Sequence, residues 1–389
     1  DKFSALRTAI GTPSGSLAKH LSPPKRVPAP AASKMPTIPL DCATNNSSLN
    51  VLRYNRHANA IRQFYPQRHP VISNYTPKAK REPVKSPLPM RDGVSASRTW
   101  LPKSGSSKNA TEVYGSWETI LEFLVERFPF ISEDIFRDRL KRGDIVNESG
   151  TPYRADSPYV AESFLFYYRE IPGEPVIPFT ETILYKDEHI IVVDKPHFIP
   201  VTPTGRYVKE SLLSRLKHRF QIEDISPIHR LDRETAGVML FSCGKEVRAG
   251  YQSLFQNRQV SKTYEAIAPR STLDFPYTHR SRMVKGDPFF RMQESDGEPN
   301  SETLMDILET KGELARYLLK PVSGKQHQLR VHMASIGCPI LNDPFYPELL
   351  PSKDDDYSQP LQLLAKSIEF VDPVSGELRR FESQLSLEF

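Results

Sequence analysis

The stretch His229–Gly237, HRLDRETAG, sets the Asp232 carboxylate among Arg230, Arg233 and the Thr235 hydroxyl. Charge pairing and hydrogen bonding at such a position favour the ionised form, which suits a nucleophile or a base better than an acid. The same spacing also describes an ordinary structural ion pair, and on the residues alone that is the commoner meaning of an Asp beside two Arg. His229 reads as a residue that fixes the loop rather than as a base. His327 and His332 stand five apart, but no carboxylate or cysteine lies at a matching spacing, so no metal site is expected and both are read as structural or nucleic-acid-facing.

The elements around the loop follow from hydrophobic periodicity. LLSRLKHRF places Leu212, Leu213, Leu216 and Phe220 on one helical face, and VMLFS reads as a strand, so HRLDRETAG falls in the turn between them. Loops leaving a rigid scaffold are where catalytic groups are usually displayed. HIIVVDKP is an apolar, β-branched run expected as a buried strand, and VRAGYQSLF carries Val247, Tyr251, Leu254 and Phe255 at helical spacing. KTYEAIA, ARYLLKPV and LLAKSIEFVDP follow as further segments of an α/β or α+β domain over 172–389, entered through the extended linker IPGEPVIP. The segment from His279, HRSRMVKGDPFFRMQESDGEPNSET, reads equally as an RNA contact or a plain surface hairpin.

Ahead of it, SWETILEFLVERF predicts a helix capped by Ser116 and ended by Pro129. A second helix over Asp134–Lys141, a Gly143 turn, extended DIVNESG and the strand-like SFLFYYRE complete a small unit over 111–171. Its order, with Arg137, Arg139, Lys141 and Arg142 just before a glycine, resembles the α-L RNA-binding module; a helix with a solvated basic face is the competing reading.

Residues 1–110 hold 14 of the 35 prolines and show no sustained apolar period, so this stretch is expected to be disordered, with order beginning at Ser116. Residues 1–100 carry 16 Lys and Arg against 4 Asp and Glu, whereas the remainder carries 36 against 43, so the net charge of +5 excludes a uniformly basic coat. The composition also has the look of an organelle transit peptide, but the change of character at MRDGVSASRTWLPKS favours a natural start at Met90, with 1–89 as upstream translated sequence. The intact mass of the native product tests this expectation: a mass that includes Asp1–Pro89 refutes it. Cys42, Cys243 and Cys338 are too few and scattered for a disulfide framework, which points to a reducing cytoplasm. No apolar run approaches the ~20 residues of a membrane helix.

HRLDRETAG resembles the HRLDxxTSG signature of the RluA family of RNA pseudouridine synthases. LYKDEHIIVVDKPHFIPV resembles the family's strand-and-KP segment before it, SKTYEAIA its K-x-Y motif after it, and GKQHQLRVHMASIGCPILNDPFY its late GRTHQIRVHLA motif. A kinase reading of HRLD fails for want of a glycine-rich phosphate loop before it and a DFG after it.

The resemblance implies an α+β fold, a pseudouridine synthase domain whose mixed, mostly antiparallel central sheet is flanked by helices. It also implies an isomerase acting on uridines of ribosomal (23S) or transfer RNA. Asp232 would be the nucleophile. Tyr264 would lie against the base and take part in proton transfer, and Arg330 would pair with Asp232. Arg230 would help displace the uridine, Lys195 and Pro196 would shape the site wall, and His229 and Thr235 would complete the substrate contacts. No cofactor or metal is implied, RNA is the expected partner, and a cytoplasmic monomer is the expected form. Ala236, Lys325, Gln326 and Asn342 depart from the family's usual Ser, Arg, Thr and Gly. The competing class is a non-catalytic RNA-binding protein that keeps the fold.

Overall fold

The computed structural model describes residues 84–389, apart from 107, 109–113, 172 and 352–354. The expected transit segment and most of the expected tail and leader lie outside these residues. The described residues belong to one compact unit.

A small three-stranded antiparallel sheet comes first, built from β1 (Ser97–Leu101), β2 (Ile145–Val146) and β3 (Ser163–Tyr167) in the order β1-β3-β2. Helices α1 (Ile120–Arg127) and α2 (Glu133–Arg142) pack against it through Leu101, Ile120, Phe123, Leu124, Phe136, Leu140 and Leu165. Order therefore begins well before Ser116. The expected disorder up to residue 110 is corrected by β1, whose five residues are too few to show a period in the sequence yet pair along their whole length with β3. Met90 lies in a described segment whose neighbour Pro89 accepts a 2.5 Å hydrogen bond from the Tyr168 hydroxyl. The expected cap also moves. Thr119, not Ser116, takes the extended conformation before α1 and accepts from the Glu122 amide at 3.3 Å. The left-handed Gly143 ends α2 as anticipated.

The second sheet has eleven strands, with β4 (Thr182–Lys186), β5 (Ile190–Lys195), β6 (Ile225–Pro227), β7 (Ala236–Cys243), β8 (Val260–Pro269), β9 (Tyr277–Lys285) and β10 (Met292–Ser295) followed by β11 (Ser301–Lys311), β12 (Leu314–Pro321), β13 (Leu363–Val371) and β14 (Leu378–Glu382). Its path runs β10-β9-β11-β12-β8-β13-β7-β5-β4, with β14 on β13 and β6 on β7. Only β13 and β7 run parallel; every other pairing is antiparallel, so the sheet is mixed and mostly antiparallel. The segment from His279 forms the β9–β10 hairpin.

Both faces of the centre are covered, which explains why β5 reads as an unbroken apolar run. Ile191 and Val193 join Met239 and Phe241 against α3 (Leu212–Phe220), while Ile190 and Val192 join Val238 and Leu240 against α4 (Lys245–Gln256). Further along, Ala266, Tyr317 and Leu319 pack on Leu329 and Met333 of α5 (Gln328–Ser335). No helix among the described residues is long and apolar enough to cross a membrane.

Gly237, the last residue of the HRLDRETAG stretch, shows what this packing demands. Its φ is +112°, and a Cβ there would stand 2.2 Å from the Ala365 carbonyl oxygen on β13. The parallel β7–β13 pair closes only because this position has no side chain. Gly237→Ala is expected to cost at least about 2 kcal/mol in urea unfolding, from backbone strain and the clash together; a loss below about 0.5 kcal/mol would contradict this packing.

Candidate active site

A cleft of about 770 Å³ opens where the loop before β7, strand β8 and the loop leading into α5 meet. It brings together Asp232, Tyr264, Arg330, Arg230, His229 and Thr235, whereas Lys195 and Pro196 are not on its lining.

At its floor, Arg330 Nη1 donates to Asp232 Oδ2 at 2.9 Å. The rest of the guanidinium forms a two-pronged contact with Asp343, Nε to Oδ2 at 2.8 Å and Nη2 to Oδ1 at 2.6 Å. The rings of Phe345 and Tyr346 cover Arg330, with centroids 4.8 and 5.5 Å from Cζ. One buried cation thus serves two carboxylates. The Arg330 and Asp343 side chains are 1% and 0% exposed, whereas Asp232 keeps 28%, so only Asp232 is open to a substrate.

Burial alone would push the Asp232 carboxyl up. The Arg330 guanidinium outweighs it, with smaller help from His327 and Lys195, and holds the carboxyl below its ordinary value of 3.8. Burial likewise works against the charge on Arg330, but its two carboxylate partners raise its pKa further and keep it protonated. Tyr264 is pushed well up by burial and then by the Asp232 charge, so its hydroxyl keeps its proton at neutral pH.

Asp343 is the site residue that sequence reasoning passed over. It stands inside the NDPFY segment, and its proximity to Arg330, 13 positions away, appears only once the chain turns after α5. Its Oδ1 also accepts from the Phe345 and Tyr346 amides, at 2.8 and 3.1 Å, which fixes that turn. The residue before it, Asn342, has φ +62°, which explains why Gly is common there and why Asn, tolerant of the left-handed region, can replace it. His327 also faces the site, with Nε2 3.8 Å from Asp232 Oδ1 and Nδ1 3.0 Å from the Tyr346 hydroxyl.

Lys195 requires a correction. It was expected on the wall toward substrate, yet it is fully buried and absent from the cleft lining. Its Nζ donates to the carbonyls of Pro196, Ile199 and Arg233, at 3.1, 2.9 and 3.0 Å. Burial draws its pKa down to about 7, while three carbonyls around one nitrogen are what an ammonium with three donors requires. Lys195 therefore clamps the loop that carries Asp232 to β5 from behind.

His229 fixes the same loop from the front. Its Nε2 accepts the Leu240 amide at 3.1 Å and its ring stacks on Phe255 at 4.7 Å. Burial holds its pKa near 3, so it is a neutral acceptor. Thr235 is 3% exposed, and its amide closes the loop onto the Asp232 carbonyl at 3.2 Å.

Arg230 lines the cleft, is exposed and makes no hydrogen bond or ion pair with the described residues, as a side chain reserved for a ligand would. Arg258 and Lys325 are two further exposed cations on the lining. The cations of α2 are differently placed. Arg139 is buried and donates to the Tyr168 carbonyl, Arg137 pairs with Glu133, and Arg142 pairs with Asp144 and Glu170. Lys141 alone of the four has no partner among the described residues, and with Arg139 buried the four do not share one solvated face.

The family model for RNA pseudouridylate synthases matches residues 189–335. The dual-specificity RNA pseudouridine synthase RluA of Vibrio vulnificus is 32% identical over 222 residues, covering 53% of this chain and 83% of that protein. Human pseudouridylate synthase RPUSD2 is 32% identical over 185 residues, covering 45% of this chain but only 32% of its own length. Among solved structures, human RNA pseudouridylate synthase domain containing 4 is similar at 26% identity and a TM-score of 0.42, covering 52% of this chain and 88% of that one. The chain belongs to the RluA family of RNA pseudouridine synthases.

The shared guanidinium generates a prediction that separates stability from turnover. Arg330→Met leaves two carboxylates around an uncharged side chain and is expected to cost about 3–5 kcal/mol in denaturant unfolding. Adding Asp343→Asn removes the buried uncompensated charge and should restore most of that stability, while turnover remains lost. Recovery of turnover in the double variant would show that Arg330 serves only to neutralise Asp343.

Proposed function

We propose that the chain converts specific uridines of ribosomal or transfer RNA to pseudouridine in the cytoplasm, as a monomer, with Asp232 as the nucleophile. The observation that carries this reading is the ionised, partly open Asp232 carboxylate held by Arg330 at the floor of a cleft.

The reaction breaks the N1–C1′ bond and leaves its electrons on the uracil. The base turns, C5 joins C1′, the proton on C5 departs and N1 regains one. Atoms and charge balance, so neither a cofactor nor an external reductant is required. The nucleotide must leave its stack to reach a carboxylate at this depth. Asp232 then acts either by attack on C1′ or by removing a proton from the sugar, and its depressed pKa keeps it anionic for both routes. Tyr264, protonated and apolar-faced, offers a surface for the turning base and a hydroxyl for proton transfer. Arg230, unpaired at the cleft, takes the place left by the displaced uridine, while Arg258 and Lys325 meet phosphates. Lys141 extends that contact from the α-L-like module.

Asp232→Asn, which keeps the shape and loses the charge, is expected to abolish carbodiimide-detectable pseudouridine in RNA incubated with the protein while binding is retained. Identical modification maps for variant and wild type would refute the assignment. Arg230→Gln is expected to lower kcat/KM at least about tenfold on a uridine held in a duplex or folded loop and much less on the same uridine in an unstructured strand, because only the former must be displaced. Equal losses on both would assign Arg230 to phosphate binding alone.

A further inference from the structure

Outside the cleft, three metal-competent side chains from three elements converge on the far side of α5: His279 on β9, Glu294 on β10 and His332 on α5. Their donor atoms all lie within 4.8 Å of one another. His279 Nε2 is 2.8 Å from Glu294 Oε1, and His332 Nε2 is 4.0 Å from the same oxygen. The sequence hid this group because its members lie 15 and 38 residues apart, and only the β9–β10 hairpin and the packing of α5 bring them together.

The surroundings orient the ligands as a metal site requires. Thr303 Oγ1 lies 2.9 Å from His332 Nδ1, a polar contact that holds the ring with Nε2 toward the Glu294 carboxylate. The Ser301 and Ser281 hydroxyls lie 3.0 and 3.2 Å from that Nε2, polar groups of the kind that surround a bound ion and its water. His332 is fully buried, but the His279 and Glu294 side chains are 14% and 26% exposed, so an ion has a way in.

We propose that His279, Glu294 and His332 form a zinc site, with two imidazole nitrogens, one carboxylate oxygen and a water as ligands. Two nitrogens and one oxygen are a set that borderline-soft Zn²⁺ takes, whereas Mg²⁺ and Ca²⁺ call for oxygen cages. The ion would pin the β9–β10 hairpin to α5, the helix that presents Arg330 two residues before His332. It is a clasp behind the catalytic ion pair, not a participant in the chemistry.

Untagged protein stripped with EDTA and dialysed is titrated with ZnCl₂ by calorimetry, with thermal unfolding followed at each step. The wild type is expected to bind about one equivalent and to gain several degrees in Tm. His279→Ala and Glu294→Gln should lose the saturable binding and the gain while unfolding near the stripped wild-type Tm. Co²⁺ as a spectroscopic probe should give the visible bands of a four-coordinate site in the wild type. No saturable Zn²⁺ binding by the wild type, or equal binding by His279→Ala, overturns the proposal and leaves the group a metal-free hydrogen-bond network. None of these readouts depends on turnover, so the zinc site and the uridine chemistry fail or stand separately.

Discussion

The structure turns on one guanidinium shared by two carboxylates. Arg330 is buried, and so is Asp343, so neither charge is tolerable without the other. The two-pronged contact with Asp343 consumes Nε and Nη2 and leaves Nη1 for Asp232, a residue 98 positions earlier in the chain. Asp343 thereby orients Arg330, and Arg330 orients and ionises Asp232. The asymmetry in exposure gives this chain a direction, from a sealed carboxylate through a sealed cation to a carboxylate that meets the cleft.

Much of the surrounding architecture serves to bring those three groups to one place and keep them there. The apolar face of α5 packs on β12 through Leu329 and Met333, which points Arg330 at the loop before β7. That loop is held from behind by the Lys195 ammonium and from the front by His229, and it ends on Gly237, where two parallel strands approach too closely for any Cβ. Gln328 braces the other rim. Its side chain accepts from Ser323 Oγ and the Lys325 amide and donates to the Glu302 carbonyl and Thr303 Oγ1, tying the loop ahead of α5 to β11. Polar side chains at the edge of a sheet thus do for the loops what apolar packing does for the strands.

What could be read from the sequence, and what could not, divides along physical lines. Strongly periodic segments were legible: LLSRLKHRF became α3 over the same nine residues, and the unbroken apolar run of β5 meant a strand covered on both faces. The cluster of site residues was legible through four ordered motifs. Side-chain partners across long separations were not. Lys195 looked like a wall residue because a lysine next to a proline gives no hint of three carbonyls converging on it. Arg139 looked like part of a basic face because helical spacing does not reveal a carbonyl 29 residues away. Strand β1 escaped because SRTWL is short and sits in a polar, proline-rich context, and its order comes from pairing with β3. Glu294 escaped for a similar reason: the β9–β10 hairpin brings His279 to it and the packing of α5 brings His332, and neither is a sequence spacing.

Asp232 is a carboxylate because Arg330, anchored by Asp343, outweighs the cost of burying it. A pH titration of the Asp232 carboxyl carbon by ¹³C NMR, in protein labelled at Asp and assigned by comparison with Asp232→Asn, measures this directly. A midpoint below the ordinary aspartate value of 3.8 is expected. A midpoint above about 5 would mean that burial wins over the ion pair, and it would contradict the ionising role of the Asp343–Arg330–Asp232 chain.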